Sequence, residues 1–291
     1  MMMMCCASCG TAQVDDIKLK TCNACKSVRY CSIKCQKEHR SQHKRACKKR
    51  AAELHDEILF KQPESSNEGD CPICFLPLSL DQTKSTMMTC CSKVICGGCY
   101  HSNEVRIFEE KLKSTCPFCR HPAPTSEEEN EENIMKRVEL NDPAATLQMS
   151  IRHNKAGDYD DAFRYANKAA ELGDAGAHFQ LACLFGEGKG VEKDAKKKVY
   201  HLEQAAIGGH AIARHNLGCK EKKNGRMDRA IKHMIIAAKL GCDSSLDALK
   251  DGFRGGMLSK EDFAATLRAH QAAVDATKSP QREEAEEARK E

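Results

Sequence analysis

The stretch from Leu19 to Cys47, LKTCNACKSVRYCSIKCQKEHRSQHKRAC, places cysteine and histidine at spacings typical of metal ligands. Its C-x2-C pair forms a tight turn that aims two thiolates at one point, and its H-x3-C pair has the i, i+4 spacing of one helix face. With a second C-x2-C pair upstream, the segment supplies eight ligands, enough for two tetrahedral zinc sites. The ligands are Cys6, Cys9, Cys22, Cys25, Cys31, Cys35, His43 and Cys47.

Cysteine usage favours metal binding over disulfide formation. Of the 19 cysteines, 16 precede residue 120, and the sequence shows neither a secretory signal nor an apolar run that could span a membrane. Clustered cysteines in a reducing cytosol or nucleus are typically metal ligands. We therefore expect a cytoplasmic or nuclear protein whose small cysteine-rich segments fold on binding zinc, a step of about 10 to 16 kcal/mol in finger peptides.

The segment 6–47 resembles a MYND finger, and the resemblance extends to Val28, Tyr30, Ser32 and Gln36 around the ligands. In that family the two zinc sites interleave along the chain. The resemblance therefore implies one zinc on Cys6, Cys9, Cys31 and Cys35 and another on Cys22, Cys25, His43 and Cys47.

Two other donors, Cys5 and His39, lie near the predicted ligands. Cys5 has a poorer ligand spacing than Cys6, and His39, one turn before His43, is expected to be an exposed helix residue. MYND fingers bind short proline-containing peptides, which implies protein or peptide partners. The family commonly has a tryptophan three residues before the histidine ligand, where this chain has Arg40, so the usual proline-rich target is not expected.

A second cysteine-rich segment spans residues 71–120 and follows a helix and polar linker predicted over 48–70. Its motifs CPIC and CPFCR resemble those of a RING finger. Cross-bracing in that family implies one zinc on Cys71, Cys74, Cys96 and Cys99. The other zinc would use Cys116 and Cys119 with whatever the stretch TCCSKVIC (89–96) provides.

The stretch TCCSKVIC has Lys93 where a RING normally has a histidine ligand, and a protonated lysine cannot bind zinc. Neighbouring side chains of an extended strand point to opposite faces, so Cys90 and Cys91 can reach one zinc only through a turn or kink. We predict that both cysteines ligate. The alternatives are a site completed by His101 or His121, a site with three protein ligands, and a site in which one cysteine is merely buried.

A RING has no chemistry of its own, because it docks a ubiquitin-conjugating enzyme and orders the thioester-linked ubiquitin for attack by a substrate lysine. The resemblance implies docking positions at Ile73, Tyr100, Pro117 and Arg120, and a planar guanidinium suits a site with several acceptors. Isoleucine and proline are also common in zinc knuckles that dock nothing. The alternative is therefore an inert RING-like adaptor.

The second half of the chain contains an internal repeat. AAELG (169–173), AAIGG (205–209) and AAKLG (237–241) recur at intervals of 36 and 32 residues, with a weaker copy, AAVDA (272–276). Each follows an amphipathic helical pattern, which predicts four helix pairs. Aligned on these copies, one position of the first helices holds Leu147, Leu181, Leu217 and Leu246, and one position of the second helices holds Ala162 and Ala230.

The segment LACLFGEGKGVEKDAKKKVYHLEQAAIGGH (181–210) resembles a Sel1-like repeat, a relative of the tetratricopeptide repeat. Its loop from Gly186 to Val191 is expected to be the longer turn of that family, since no lysine-serine pair or helix start follows it in the order of a phosphate-binding loop. Gly173 and Gly241 suit left-handed helix ends.

These modules predict a multi-domain fold in which two small zinc-stabilised cross-brace modules precede an all-α helical-repeat solenoid with a protein-binding inner face. About four zinc ions are expected, and they would be structural because four protein ligands close each site. The predicted order is a MYND finger over 1–47, a helix and linker over 48–70, a RING finger over 71–120, an acidic linker over 121–141, Sel1-like repeats over 142–278 and a charged, frayed or disordered tail over 279–291.

Three interaction modules in series favour a RING-type E3 ubiquitin ligase that recruits a conjugating enzyme through the RING and other proteins through the finger and the repeats. The alternative is a non-catalytic protein-protein interaction adaptor, with a transcriptional role as one version. Nucleic-acid binding is not expected, because the basic run KRACKKR (44–50) lacks the interleaved aromatic residues that stack on bases.

Overall fold

The computed structural model describes residues 5–13 and 18–290 and contains two compact units, Met1–Lys61 and Gln62–Glu291. Residues 1–4 and 14–17 of the predicted finger and residue 291 of the predicted tail lie outside the described residues. All 19 cysteines are free thiols. Within the described part of the chain, none of the helices combines the length and the apolar character that crossing a membrane would require.

The first unit combines a short antiparallel ribbon with one long helix. Strand β1 (Lys20–Thr21) pairs with strand β2 (Arg29–Tyr30). Helix α1 (Ile33–Leu59) begins after Ser32, whose hydroxyl accepts a hydrogen bond at 3.2 Å from the amide three residues later. The helix predicted after the finger is therefore the continuation of the helix that carries the last three ligands of the finger.

The second unit begins with a linker and a second zinc module, defined here as residues 71–120, which is built on a hairpin and a helix. Strands β3 (Ser85–Met88) and β4 (Lys93–Cys96) are antiparallel, and residues 89–92 form the turn between them. Helix α2 (Gly97–Glu109) follows directly, and the sulfur of the last β4 residue accepts a hydrogen bond at 3.4 Å from an amide in the first turn of α2.

The rest of the second unit is helical. Its helices are α3 (Glu127–Glu139), α4 (Pro143–Ala156), α5 (Tyr159–Glu171), α6 (Ala175–Glu187), α7 (Ala195–Ile207), α8 (Ala211–Lys223), α9 (Met227–Lys239), α10 (Asp243–Arg254), α11 (Lys260–Ala276) and α12 (Pro280–Ala288). Helices α4 to α11 form four successive pairs, and the second helix of each of the first three pairs packs against the first helix of the next. The predicted helical-repeat solenoid is confirmed.

The first helix of each pair buries the seventh residue after its N-cap. The caps are Asp142, Asp174, His210 and Cys242. The buried residues are Met149, Leu181, Leu217 and Leu249. Of the predicted leucine column, Leu181 and Leu217 occupy this place, whereas Leu147 and Leu246 lie five and four residues after their caps. Leu246 is also buried, at a different position of its helix. Counting back from the second helix loses the register, because the loop between paired helices differs in length from copy to copy.

Glycine and alanine have the roles that the repeat pattern predicts. Gly173 and Gly241 have φ values of 90° and 93°, in the left-handed region that a residue with a Cβ rarely adopts. Ala162 and Ala230 are fully buried at the helix contacts. Small residues at these places allow the paired helices to approach each other closely. In the first pair, the hydroxyl of Ser150 on α4 donates a hydrogen bond at 2.7 Å to the Ala162 carbonyl on α5.

The predicted acidic linker contains α3. Ser126 caps this helix by accepting a hydrogen bond from the Glu129 amide at 3.2 Å, and three glutamates in its first turn suit the positive end of a helix. Ile134 and Val138, four residues apart on one face, are buried against the first repeat helix. The acidic run therefore precedes a packed helix face, and part of the predicted linker is a helix that packs on the first repeat helix.

The charged tail, expected to be a frayed helix or disordered, forms the packed helix α12. Ser279 is the N-cap and Pro280 occupies the first turn, where its missing N–H leaves no partner unsatisfied. Arg282 and Ala285 are buried, and α12 packs against α2 of the second zinc module. A nine-residue helix with no large apolar side chain is not stable alone, so this packing accounts for its order.

The second zinc module packs directly on the repeats. Leu80 of the module contacts a small core formed by Ala211, Ala237 and Cys242. The Asn67 amide in the preceding linker donates a hydrogen bond at 3.2 Å to the carbonyl of Gly209, directly before a repeat helix. The module therefore lies along the side of the array where the first helices of the repeats begin.

Candidate metal centres

The same backbone turn closes four C-x2-C pairs. The carbonyl of the first cysteine accepts a hydrogen bond at 2.8 to 3.0 Å from the amide four residues later. That later residue has a φ of 55° to 74°, a left-handed conformation that costs a non-glycine residue about 1 to 2 kcal/mol. The four residues are Gly10, Lys26, Phe75 and Arg120. Such strain persists where other bonds fix the turn, as two thiolates on one metal ion would do.

Two donor groups converge in the first unit, and their ligands alternate along the chain. In the first group, the Cys31 sulfur lies 3.6 Å from the sulfurs of both Cys9 and Cys35. In the second, the Cys25 sulfur lies 3.3 Å from Nε2 of His43. The first group, site A, contains Cys6, Cys9, Cys31 and Cys35, and the second, site B, contains Cys22, Cys25, His43 and Cys47.

His39 is placed differently from the expectation of an exposed residue. It is half-buried, its Nδ1 lies 3.1 Å from the Tyr30 hydroxyl, and its ring stacks on the His43 ring with centroids 5.6 Å apart. Tyr30 is buried. His39 therefore supports the orientation of a site B donor, as groups around metal ligands commonly do. Cys5 is exposed and belongs to neither donor group.

Two further donor groups converge in the second zinc module, again in alternating order. Site C contains Cys71, Cys74, Cys96 and Cys99, and site D contains Cys90, Cys91, Cys116 and Cys119. This order produces a cross-brace, because the first and third cysteine pairs of the module form site C and the second and fourth pairs form site D. Neither His101 nor His121 belongs to site D.

The turn between β3 and β4 explains how adjacent cysteines reach one site. The amides of Cys91 and Ser92 both donate to the Met88 carbonyl, at 3.2 and 2.8 Å, and Ser92 has a φ of 56°. This turn breaks the alternation of an extended strand. It brings the Cys90 sulfur to 3.4 Å from that of Cys119, while strand β4 resumes after the turn.

The distances between sulfur atoms fit tetrahedral zinc. A zinc–thiolate bond of about 2.3 Å places two thiolates on the same tetrahedral ion about 3.8 Å apart. Sulfur–sulfur distances within the sites are 3.6 Å in site A, 3.8 Å in sites B and C, and 3.4 and 3.9 Å in site D. Four protein donors at each site also match closed, structural zinc sites.

The electrostatics of the donor groups fit a divalent cation as well. The Cys9 amide lowers the pKa of Cys6 to about 6, whereas the Cys9 thiol raises the pKa of Cys31 to about 12. In site D, burial raises the pKa of Cys91 to about 11. Neighbouring thiols in site A and burial in site D therefore oppose ionisation of all four thiols together. A zinc ion at the centre would stabilise all four thiolates.

Site C has an additional contact from a distant part of the chain. Nη2 of Arg282 donates a hydrogen bond to the Cys74 sulfur at 3.4 Å. Burial opposes ionisation of Cys74, but the Leu76 amide and the Arg282 guanidinium outweigh it and lower the pKa of the thiol to about 7. No local sequence signal identifies this contact, because 208 residues separate the two partners.

The four predicted docking residues have different environments. Ile73 is 37% exposed and Arg120 is exposed, whereas Tyr100 is half-buried and Pro117 is buried. Nη1 of Arg120 donates to Oδ1 of Asn103 at 3.5 Å. Asn103 was not predicted from the sequence, although its position on the inner face of α2 is compatible with such a role.

Residues 6–47 match the MYND finger family. No curated protein gives a significant match to the chain. A solved structure of a Sel1 repeat protein from Oxalobacter formigenes is 19% identical, with 61% of this chain and 75% of that chain covered and a TM-score of 0.45. A protective antigen of uropathogenic Escherichia coli strains that displays an SLR fold is 17% identical, with 59% and 37% covered and a TM-score of 0.44.

Proposed function

We propose that this protein is a RING-type E3 ubiquitin ligase, in which the second zinc module recruits a charged conjugating enzyme. The main support is that TCCSKVIC completes a second four-thiol site, so both loops of a cross-brace are fixed. Ile73, Phe75 and Phe118 lie on these loops and are 37%, 77% and 43% exposed. Exposed apolar side chains on rigid loops are suited to binding another protein.

The proposed mechanism is docking and orientation without a covalent intermediate on the ligase. Ile73 would contact an apolar surface of the conjugating enzyme. Arg120, whose guanidinium Asn103 orients, would donate hydrogen bonds to acceptors on the enzyme and on ubiquitin. Zinc, held by sites C and D, would fix the two loops and leave no open coordination position for catalysis.

The finger and the repeats would supply protein or peptide partners in the cytoplasm or nucleus. Residues 6–47 belong to a module type that binds peptides, and stacked helix pairs form extended binding surfaces. On this proposal, a substrate held by either module is presented to the conjugating enzyme on the second zinc module. The substrate lysine then attacks the thioester carbonyl, and the enzyme thiol leaves.

The test is discharge of ubiquitin from a panel of charged conjugating enzymes onto free lysine. Ile73→Ala and Arg120→Ala should each reduce the stimulated rate by tenfold or more. Ile58→Ala and Arg254→Ala, which truncate the same residue types at exposed positions outside the module, should leave it unchanged. Native mass spectrometry should show four zinc ions in every variant.

A non-catalytic adaptor is the second candidate, and the burial of Pro117 favours it because a buried proline cannot contact an enzyme directly. The same assay separates the two functions. An absence of stimulation across the whole panel, from protein that holds four zinc ions, would contradict the ligase and support the adaptor.

A further inference from the structure

The buried guanidinium of Arg282 lacks a carboxylate partner among the described residues. Arg282 is only 8% exposed, yet its hydrogen bonds go to the carbonyls of Leu76, Pro77 and Thr277 and to the sulfur of Cys74. A buried cation needs a compensating negative charge. The only anionic candidates among these partners are the thiolates of site C.

Zinc in site C would provide that compensating charge. Four thiolates on one Zn²⁺ carry a net charge of −2, and the Arg282 guanidinium lies within hydrogen-bond distance of one of them. Hydrogen bonds from a cation to a ligand sulfur offset part of this excess charge. The charge of the loaded site and the charge of the tail are therefore complementary.

The two residues between Cys96 and Cys99 fit this arrangement sterically. A Cβ atom on Gly98 would lie 2.8 Å from the Arg282 backbone nitrogen and 2.9 Å from the Gln281 carbonyl carbon. A Cβ on Gly97 would collide with the Arg289 guanidinium. The C-G-G-C sequence thus leaves a surface that is just open enough for the backbone of α12.

Contacts at the far end of α12 hold the helix along the same surface. The Lys84 ammonium lies 2.7 Å from a carboxylate oxygen of Glu286, and Nη1 of Arg289 donates to the Thr83 carbonyl at 2.6 Å. Ala285, 2% exposed, packs between these ends. The tail therefore binds the second zinc module over its whole helical length.

We propose that α12 is an external brace of site C, and that docking of this C-terminal helix and retention of zinc at site C stabilise each other. Because such coupling is reciprocal, loss of the helix should weaken zinc retention by the same factor by which loss of the zinc weakens helix docking. Removal of groups that contact metal ligands typically weakens metal binding by about 10- to 100-fold. The proposal does not depend on ligase activity.

The first experiment follows zinc release from full-length protein into excess chelator with a metal-sensitive dye. Arg282→Gln, which keeps a polar side chain but removes the charge, should make one of the four ions leave about 10-fold faster. Differential alkylation should identify the newly reactive thiols as those of site C. Arg254→Gln removes an exposed arginine of α10 and should change nothing.

A second pair of variants displaces α12 without altering Arg282 or a thiol. Gly98→Ala should accelerate the same zinc release and raise hydrogen exchange in residues 280–290. Gly252→Ala, a glycine on α10 with nothing within 4 Å of the added Cβ, is the control.

The proposal also predicts the reverse effect, that stripping zinc exposes the α12 amides to exchange before the α6 amides. Sites A and B, in the other unit, act as internal folding controls and should release zinc at unchanged rates. Unchanged site C release in both Arg282→Gln and Gly98→Ala would overturn the proposal. Accelerated zinc release from all four sites together would also overturn the proposal, because that result indicates general misfolding.

Discussion

The first unit and the helical repeats are stabilised by different means. Among the described residues, the core of the segment 6–47 has five buried side chains, of which four are predicted metal ligands and the fifth is Tyr30. The repeats bury alanine and leucine between paired helices and have side-chain caps at several helix starts. Folding of the first unit should therefore depend on zinc, whereas folding of the repeats depends on packing and helix capping.

The second zinc module is intermediate between these two cases. Its two sites have the same knuckle turns as the first unit, but its Leu80 also packs on the repeats and its α2 packs on α12. A zinc module that packs on a helical array gains apolar burial that a small finger lacks. We expect its stability to combine both contributions.

Removal of zinc should have the largest effect and should separate the two regions. Chelation is expected to unfold residues 18–47, since folding energy of about 10 to 16 kcal/mol comes from metal in such fingers. Helices α4 to α11 should remain protected. Hydrogen exchange with and without chelator measures both, and chelator already saturated with zinc is the control. Equal loss of protection in the repeats would contradict the comparison.

Core truncation should affect the repeats next most strongly and should test their register. Met149→Ala removes a fully buried side chain and is expected to cost about 2 to 5 kcal/mol. Leu147→Ala, at the partly exposed position that the sequence alignment selects, should cost less than half of that. Urea unfolding measured by circular dichroism compares them. A larger loss for Leu147→Ala would restore the sequence-based register.

Mild acid should weaken the repeats through His210. Burial lowers the pKa of His210 to about 4, and its Nδ1 accepts a hydrogen bond from the Ala213 amide at 3.2 Å, so the folded state requires the unprotonated ring. The unfolded chain binds the proton near pH 6.5, and stability is therefore lost as the pH falls from about 6.5 towards 4. Between pH 7 and pH 5 the loss should be about 2 kcal/mol.

His210→Asn should remove the share of the acid sensitivity that His210 carries while preserving an N-cap acceptor. Burial also lowers the pKa of His201 to about 4, so a second share should remain. Urea midpoints at pH 7 and pH 5 provide the measurement, with His121→Asn as a control for an exposed histidine. If the midpoint of His210→Asn falls as far as that of the unaltered protein, another group carries the acid sensitivity.

Much of the fold could be predicted because its signals are local. Ligand spacing identifies the cysteine pairs, and the AAxxG motif identifies the second helices and their glycine ends. Three features of the fold could not be predicted from the sequence, each for its own physical reason. An acidic run masks the apolar face of α3, variable loops obscure the register of the terminal repeats, and the charged tail shows no apolar pattern from which burial could be predicted.

The sequence by itself determined which residues could bind zinc and where helices would pair, because a knuckle turn and a helical period involve neighbours along the chain. Only the tertiary structure decided that Cys90 and Cys91 meet at one site and that Arg282 lies against site C. Those outcomes depend on a turn conformation and on charge compensation between segments far apart in sequence. Such interactions exist only once the chain has folded.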